Sequence, residues 1–195
     1  EDKEHYTLAK ENIKLINIKC HDLKHQIHAL AKNQIDKEQL NEIEKSIMIY
    51  DSIVKTGNDA LDVLLSEKSL YCNEHHIVLT YIVNGEALSF MKDYDIYSLF
   101  GNALDNAIEF LITIPKENRF LTIRSFEKGD IAKISFENTY IGNPKFNKQG
   151  LLDTTKDNAI YHGFGLKSIK SIMKKYNGSM SITIEDNTFK LQLLF

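Results

Sequence analysis

Six apolar residues near the N-terminus, Ile13, Ile16, Cys20, Leu23, Ile27 and Leu30, are spaced 3, 4, 3, 4, 3. That rhythm puts them on one seam of an α-helix and asks for a second helix to cover them. Asn33 to Lys37 breaks it, and Asp36, with Gln39 three residues on, has the form of a capping box that starts a new helix. Leu40, Ile43, Ile47 and Tyr50 then repeat the stripe, which makes a helical hairpin. Two such helices bury too little to stand alone. Leu8, Leu15 and Ile18 lie off the seam and need cover of their own. The expectation is a homodimer whose paired hairpins close a four-helix bundle.

Thr56-Gly57-Asn58 reads as a joint, and the following DALDVLLSEKSLYC continues as a helix. Beyond it the chain changes character. The runs His76–Val83, Arg119–Phe126, Ile131–Glu137, Ser179–Glu185 and Thr188–Phe195 are β-branched and aromatic and are bounded by turn residues. Helical patterns fall at about Ile96–Ile112 and Phe164–Tyr176. The fold class expected is α+β: a helical hairpin over residues 1–57, then an α/β sandwich over 58–195 with one sheet covered by helices on one face. Tyr140 to Tyr161 is polar and aperiodic and holds Gly142, Pro144 and Gly150. A stretch of that length and composition reads as a binding loop or lid.

A formal net charge of -3 creates no basic field, so nucleic acid is not an expected partner. Cys20 and Cys72 lie far apart and match no metal spacing, which reads as free thiols in a reducing, cytoplasmic setting. No apolar run approaches the length of a membrane span. A chain that enters a helical pattern at Glu1 without an initiator Met reads as a segment of something longer, and a membrane-anchored sensor part before Glu1 is compatible with it.

In NALDNAIE, the polar residues Asn102, Asp105, Asn106 and Glu109 recur at i, i+3, i+4 and i+7 and share one helix face. Asparagine is a poor helix former, so two of them there cost stability that a solvated Lys or Glu would not. An amide oxygen suits Mg²⁺, which keeps several waters and takes its other bonds from phosphates and one or two protein oxygens. An exposed polar face of a packed helix is the plainer alternative. In HGFGLKSIK, Gly163 and Gly165 are read as opening a helix whose first free N–H groups make an anion site. By itself such a glycine pair is more often a plain loop-to-helix junction. Neither a P-loop nor a dinucleotide fingerprint is present.

The run N-x-x-D-N-A, then a strand, a polar loop, a G-x-G-L helix and KKYNGSMSI, resembles the ATP-binding domain of sensor histidine kinases, a branch of the GHKL superfamily that also holds gyrase and the MutL repair proteins. The likeness spans about Glu74 to Phe195. With CHDLKHQI in a helical hairpin it is similar to the quorum-sensing-type kinases and extends over almost the whole chain. The resemblance implies a Bergerat-type ATP-binding domain over 58–195 and a dimerisation and histidine-phosphotransfer hairpin over 1–57. It implies that Asn102 lies near the phosphates and that Asn106 holds Mg²⁺. His162, Gly163, Gly165 and Leu166 then line the triphosphate, and Lys170 is a basic position in the next helix. Asn138, in ENTYIG, stands where most histidine kinases carry the Asp that reads the adenine amino group. Its carbonyl can still accept that hydrogen bond, without the charge.

His21 and His25, one helical turn apart, admit three readings: zinc ligands, solvated surface, or a nucleophile with its base. Zinc lacks a third ligand at suitable spacing. Asp22 beside His21 can orient the ring proton and leave the other nitrogen as nucleophile. The resemblance places the phosphoacceptor at the His of this H-D pair, His21 in preference to His25 or His28. The more familiar H-E-x-x-x-P pattern is absent, since residue 26 is Gln. The implied function is ATP-dependent autophosphorylation of His21 and transfer to an aspartate of a response-regulator receiver domain. The alternative is a non-catalytic dimeric signalling scaffold with a weak ATP-binding domain.

Overall fold

A computed structural model describes residues 2–31, 54–142 and 159–195. The second helix of the expected hairpin, around Leu40–Tyr50, lies outside the described residues, as do 143–158 of the polar loop. The four-helix bundle and the homodimer depend on that second helix and so fall outside the described residues with it.

Four helices and a five-stranded sheet make up the described chain: α1 (Asp2–Ala31), α2 (Asp59–Glu74), β1 (Val78–Ile82), α3 (Asp93–Ile112), β2 (Phe120–Lys128), β3 (Ile131–Thr139), α4 (Ala159–Lys175), β4 (Ser179–Glu185) and β5 (Thr188–Leu194). The five expected strands appear within a few residues of their sequence bounds. The sheet order is β1-β2-β3-β5-β4, parallel between β1 and β2 and antiparallel elsewhere.

Period-two alternation gives the sheet two unlike faces. Leu121 and Ile123 of β2, Ile134 and Phe136 of β3, and Leu191 and Leu193 of β5 are buried on the helix side. Thr122, Arg124, Glu137 and Lys190 share the opposite, polar face. Helix α3 supplies the other half of the core through Ile96, Leu99, Phe100, Ala103, Leu104, Ala107, Ile108 and Leu111. Phe100 meets Phe136 edge-on, with ring centroids 5.2 Å apart, an arrangement worth about 1 kcal/mol beyond its buried area.

The joint at Thr56–Asn58 is tied into this unit. Val54 is buried in the core. The Thr56 N–H and hydroxyl both donate to Asp62 Oδ1, at 2.6 and 2.7 Å, and Asn58 caps α2 by accepting from the N–H groups of Ala60 and Leu61. Helix α1 rests on α2 and α3 through Tyr6, whose ring lies 5.4 Å from Tyr97, and through a Lys10–Asp59 ion pair at 3.0 Å.

One boundary differs from the sequence expectation. Helix α4 begins at Ala159, so Gly163 and Gly165 lie inside it and do not open it. Glycine in a helix interior costs about 1 kcal/mol relative to alanine, which is why the pair reads as loop. A tertiary contact at Gly165 outweighs that propensity.

Candidate functional site

Helices α3 and α4 run antiparallel against each other. Gly165 near the start of α4 meets Asn102 and Asn106 in the middle of α3, while Lys175 and Tyr176 at its end meet Asp95 near the start of α3. The spacing of buried Gly165, Ile169 and Ile172 on α4 produces the contact face.

The polar stripe of α3 divides in two. Asp105 and Glu109 are exposed, and Asp105 pairs with Lys68 at 2.7 Å. Asn102 and Asn106 are half-buried and turn toward α4. A Cβ at Gly165 would lie 3.1 Å from both Nδ2 and Oδ1 of Asn106 and 3.4 Å from Oδ1 of Asn102. Glycine is what allows the helix backbone to come this close. The Asn106 Nδ2 is buried with no hydrogen-bond partner among the described residues. Such an orphan donor costs about 1–3 kcal/mol and calls for an acceptor that the described residues do not provide. Asn102, by contrast, is held. Its Nδ2 donates to the Ser98 carbonyl at 2.7 Å, to the Ser98 hydroxyl at 3.3 Å and to the Ser168 hydroxyl at 3.3 Å.

Asn138 is buried on the helix side of β3, flanked across the sheet by Leu121 and Phe189. Its Nδ2 donates to the Thr139 carbonyl at 2.9 Å, which fixes the amide. Phe100 packs on Phe136, and Phe110 stacks on Tyr140 at 5.0 Å. Ten residues of helix advance about 15 Å and four of strand about 13 Å, so α3 lies along β3 with its middle turn above Asn138. The two asparagines of α3 and the one of β3 thus belong to the same stretch of the helix–sheet packing.

A cleft of about 440 Å³ opens one turn along from Asn102, between Tyr94, Asp95 and Ser98 of α3 and Ser168 and Ser171 of α4, with Lys3 of α1 at its rim. It shares Ser98 and Ser168 with the bonds that hold Asn102.

Of the residues singled out from sequence, Asn102, Asn106 and Gly165 come together, and Asn138 is buried on β3, the strand on which α3 packs. His162 and Gly163 belong to the first turns of α4, so the free N–H groups of that helix begin at Ala159, ahead of both glycines. Leu166 is partly buried against the core and Lys170 is exposed. His21 is placed as a position on α1 and Asp22 beside it is exposed. From Lys10, where α1 touches the domain, His21 is 11 residues further along, about 16 Å of helix. Ser98 and Ser168 escaped the sequence reading. The one available signal was the i, i+4 spacing of Ser98 and Asn102.

Among the described residues, no cluster of three or more His, Cys, Asp or Glu side chains could hold a metal, and no helix is long and apolar enough to cross a membrane. The thiol of Cys72 is buried in the core, which pushes its pKa up to about 11 and keeps it a protonated packing group.

The sequence model of the GHKL domain matches residues 91–195, so the chain belongs to the GHKL domain family. The nucleotide-free catalytic domain of the histidine kinase ThkA superposes with a TM-score of 0.53 at 16% identity, over 70% of this chain and 91% of that one. A second crystal form gives 0.52 at 14%, over 72% and 92%. The histidine kinase domain of the blue-light-activated kinase EL346 of Erythrobacter litoralis covers 98% of this chain and 94% of its own, with a TM-score of 0.48 at 12% identity. The two ThkA superpositions show the mixed α/β fold of histidine kinase catalytic domains. No curated protein sequence matches the chain.

Proposed function

We propose that the chain is a histidine kinase that autophosphorylates on His21 and passes the phosphoryl group to an aspartate of a response-regulator receiver domain. The observation that carries the nucleotide half of this reading is the buried, unpartnered amide nitrogen of Asn106, packed against Gly165 and beside Asn102. The chemistry of that amide suits a metal-bound triphosphate. Its NH₂ needs an acceptor, which a phosphate oxygen supplies, and its carbonyl oxygen is a hard, neutral ligand of the kind Mg²⁺ takes. Mg²⁺ held there by Asn106 would neutralise phosphate charge. Asn138 receives the adenine amino group on its carbonyl, since its own NH₂ is occupied by Thr139. His162, Gly163 and Gly165 line the phosphates, with Leu166 packing the helix behind them and Lys170 adding positive charge.

The transfer asks the protein mainly for position and charge. A lone pair on one ring nitrogen of neutral His21 attacks the γ-phosphorus. The bond from that phosphorus to the β–γ bridging oxygen breaks, and ADP departs with the electron pair. Asp22 takes the proton from the second ring nitrogen and so removes the positive charge the ring would otherwise carry. The chain acts as a homodimer through the N-terminal hairpin, on the cytoplasmic side, and a membrane-anchored sensor preceding Glu1 is compatible with this role. The quorum-sensing-type assignment rests on the CHDLKHQI resemblance.

One observation favours the second reading, a dimeric signalling scaffold with weak nucleotide binding: the buried residue at the adenine position is the neutral Asn138. Incubation with γ-labelled ATP and Mg²⁺ separates the two. An acid-labile, base-stable label is expected on the parent chain and absent from His21→Gln; equal labelling of that variant would sink His21 as the acceptor, and no label on the parent would sink the kinase assignment.

A further inference from the structure

We infer that Ser168 is a positioning residue: its hydroxyl, on α4, accepts from the Asn102 amide and holds it in the orientation the Ser98 carbonyl selects, in which the oxygen, and not the NH₂, faces the seam between Gly165 and the two asparagines. This rests on the nucleotide site proposed above. The Ser98 carbonyl, 2.7 Å from the amide, can only accept, so the group facing it is the nitrogen. The two serine hydroxyls complete its shell at 3.3 Å each. The other end of the amide, Oδ1, is therefore the atom that lies 3.4 Å from the place a Gly165 Cβ would take.

The chemical consequence is specific. An amide oxygen and a phosphate oxygen are both acceptors and cannot hydrogen-bond each other. An amide oxygen and a divalent cation attract. Asn102 so oriented supports nucleotide through the cation. Ser98 belongs to the same helix as Asn102 and holds it however α4 lies; Ser168 reaches across from α4. The orientation of Asn102 is completed only when α4 is docked with Gly165 on Asn106 and Ser168 on Asn102. Outer groups that orient a metal ligand typically change metal affinity 10- to 100-fold when removed.

The test is calorimetric titration of the whole chain with ATP, once in Mg²⁺ and once in excess EDTA, on the parent, Ser168→Ala and the near-isosteric pair Ser168→Thr and Ser168→Val. The expected result is that the gain in ATP affinity brought by Mg²⁺ falls about tenfold in the Ala and Val variants and is kept in Thr, with EDTA affinities of all four within about twofold. Alanine is the stronger helix former, so α4 survives its substitution; should Ser168→Ala melt below the assay temperature, the Thr and Val pair decides alone. A Val variant with the parent's Mg²⁺ gain, a Thr variant that behaves as Val does, or equal weakening with and without Mg²⁺ would each overturn the role of Ser168 and leave the nucleotide site standing. A parent chain that binds ATP in neither buffer would overturn both.

Discussion

Gly165 lies so close on Asn106 that a Cβ there would stand 3.1 Å from both atoms of the amide end, and a methyl group fits only if that amide gives by a few tenths of an ångström. In Gly165→Ala the gain in helix propensity, about 1 kcal/mol, works against the displacement of that amide. The two effects nearly cancel in stability, but only one of them touches the site. We expect a melting temperature within about 3 °C of the parent and an affinity for ATP in Mg²⁺ reduced at least about tenfold, equivalent to about 1.4 kcal/mol. A ligand-free melting scan and an ATP titration measure the two quantities separately, and parent-like binding would show that the amide can move aside without consequence.

Asn138 offers a reversal of its neutral amide. In Asn138→Asp the donor to the Thr139 carbonyl is lost and a carboxylate replaces it in a site only 4% exposed. Two acceptors then face each other, at a cost of about 2 kcal/mol without ligand. Burial disfavours the charged form, so the penalty grows as pH rises from about 4 to 7. ATP, whose adenine amino group supplies the missing donor, should raise the variant's melting temperature by more degrees than it raises the parent's. Thermal scans with and without ATP at the two pH values check both halves; a penalty independent of pH would mean the carboxylate stays solvated.

How much of the fold and site is legible in the sequence depends on where the causes lie. The strands are readable because Leu121 and Ile123, or Leu191 and Leu193, alternate with polar neighbours over a whole run. The asparagine stripe of α3 is readable because two poor helix formers on one face of an otherwise apolar helix need a reason. The start of α4 is not, because the reason for Gly165 is Asn106, 59 residues away, and local propensity carries no record of it. Ser168 is invisible for the same cause, its partner Asn102 lying 66 residues upstream. The division of the polar stripe into exposed Asp105 and Glu109 and enclosed Asn102 and Asn106 is likewise set by which neighbouring helix covers it.

On the open face of the sheet, Glu137 is held by Lys190 at 2.8 Å, Arg124 at 2.9 Å and the Ser135 hydroxyl at 3.1 Å. The bond from Lys190 is the main reason its pKa lies below the ordinary carboxylate value, with Ser135 and Arg124 adding to it against the effect of burial. A depressed folded pKa contributes stability that is present above the unfolded value, about 4.3, and is lost as pH falls through the folded one. These partners are partly exposed and screened, so the contribution is about 1 kcal/mol. Glu137→Gln should melt about 2–4 °C lower at pH 7, and the gap should close below about pH 4. Melting curves across that range decide it; a gap constant with pH would assign the loss to packing.

The far end of the α3–α4 contact is a polar anchor. Asp95, 6% exposed, accepts from Lys175 Nζ at 2.7 Å and from the Tyr176 hydroxyl at 2.6 Å, and that hydroxyl accepts in turn from the Lys92 N–H at 3.1 Å. Removing the carboxylate leaves the Tyr176 O–H without its acceptor in a site where burial and Asp95 together hold the phenol's pKa up. Asp95→Ala should cost about 2–3 kcal/mol, a fall of about 5–10 °C in melting temperature, and Tyr176→Phe about 1 kcal/mol. Because Gly165 and Ser168 grip α3 two to three turns away, ATP affinity measured well below the melting transition should fall less than threefold in Tyr176→Phe. Calorimetry and a titration at about 10 °C test this, and a loss of binding as large as that of Gly165→Ala would mean the two ends of α4 move as one rigid lever.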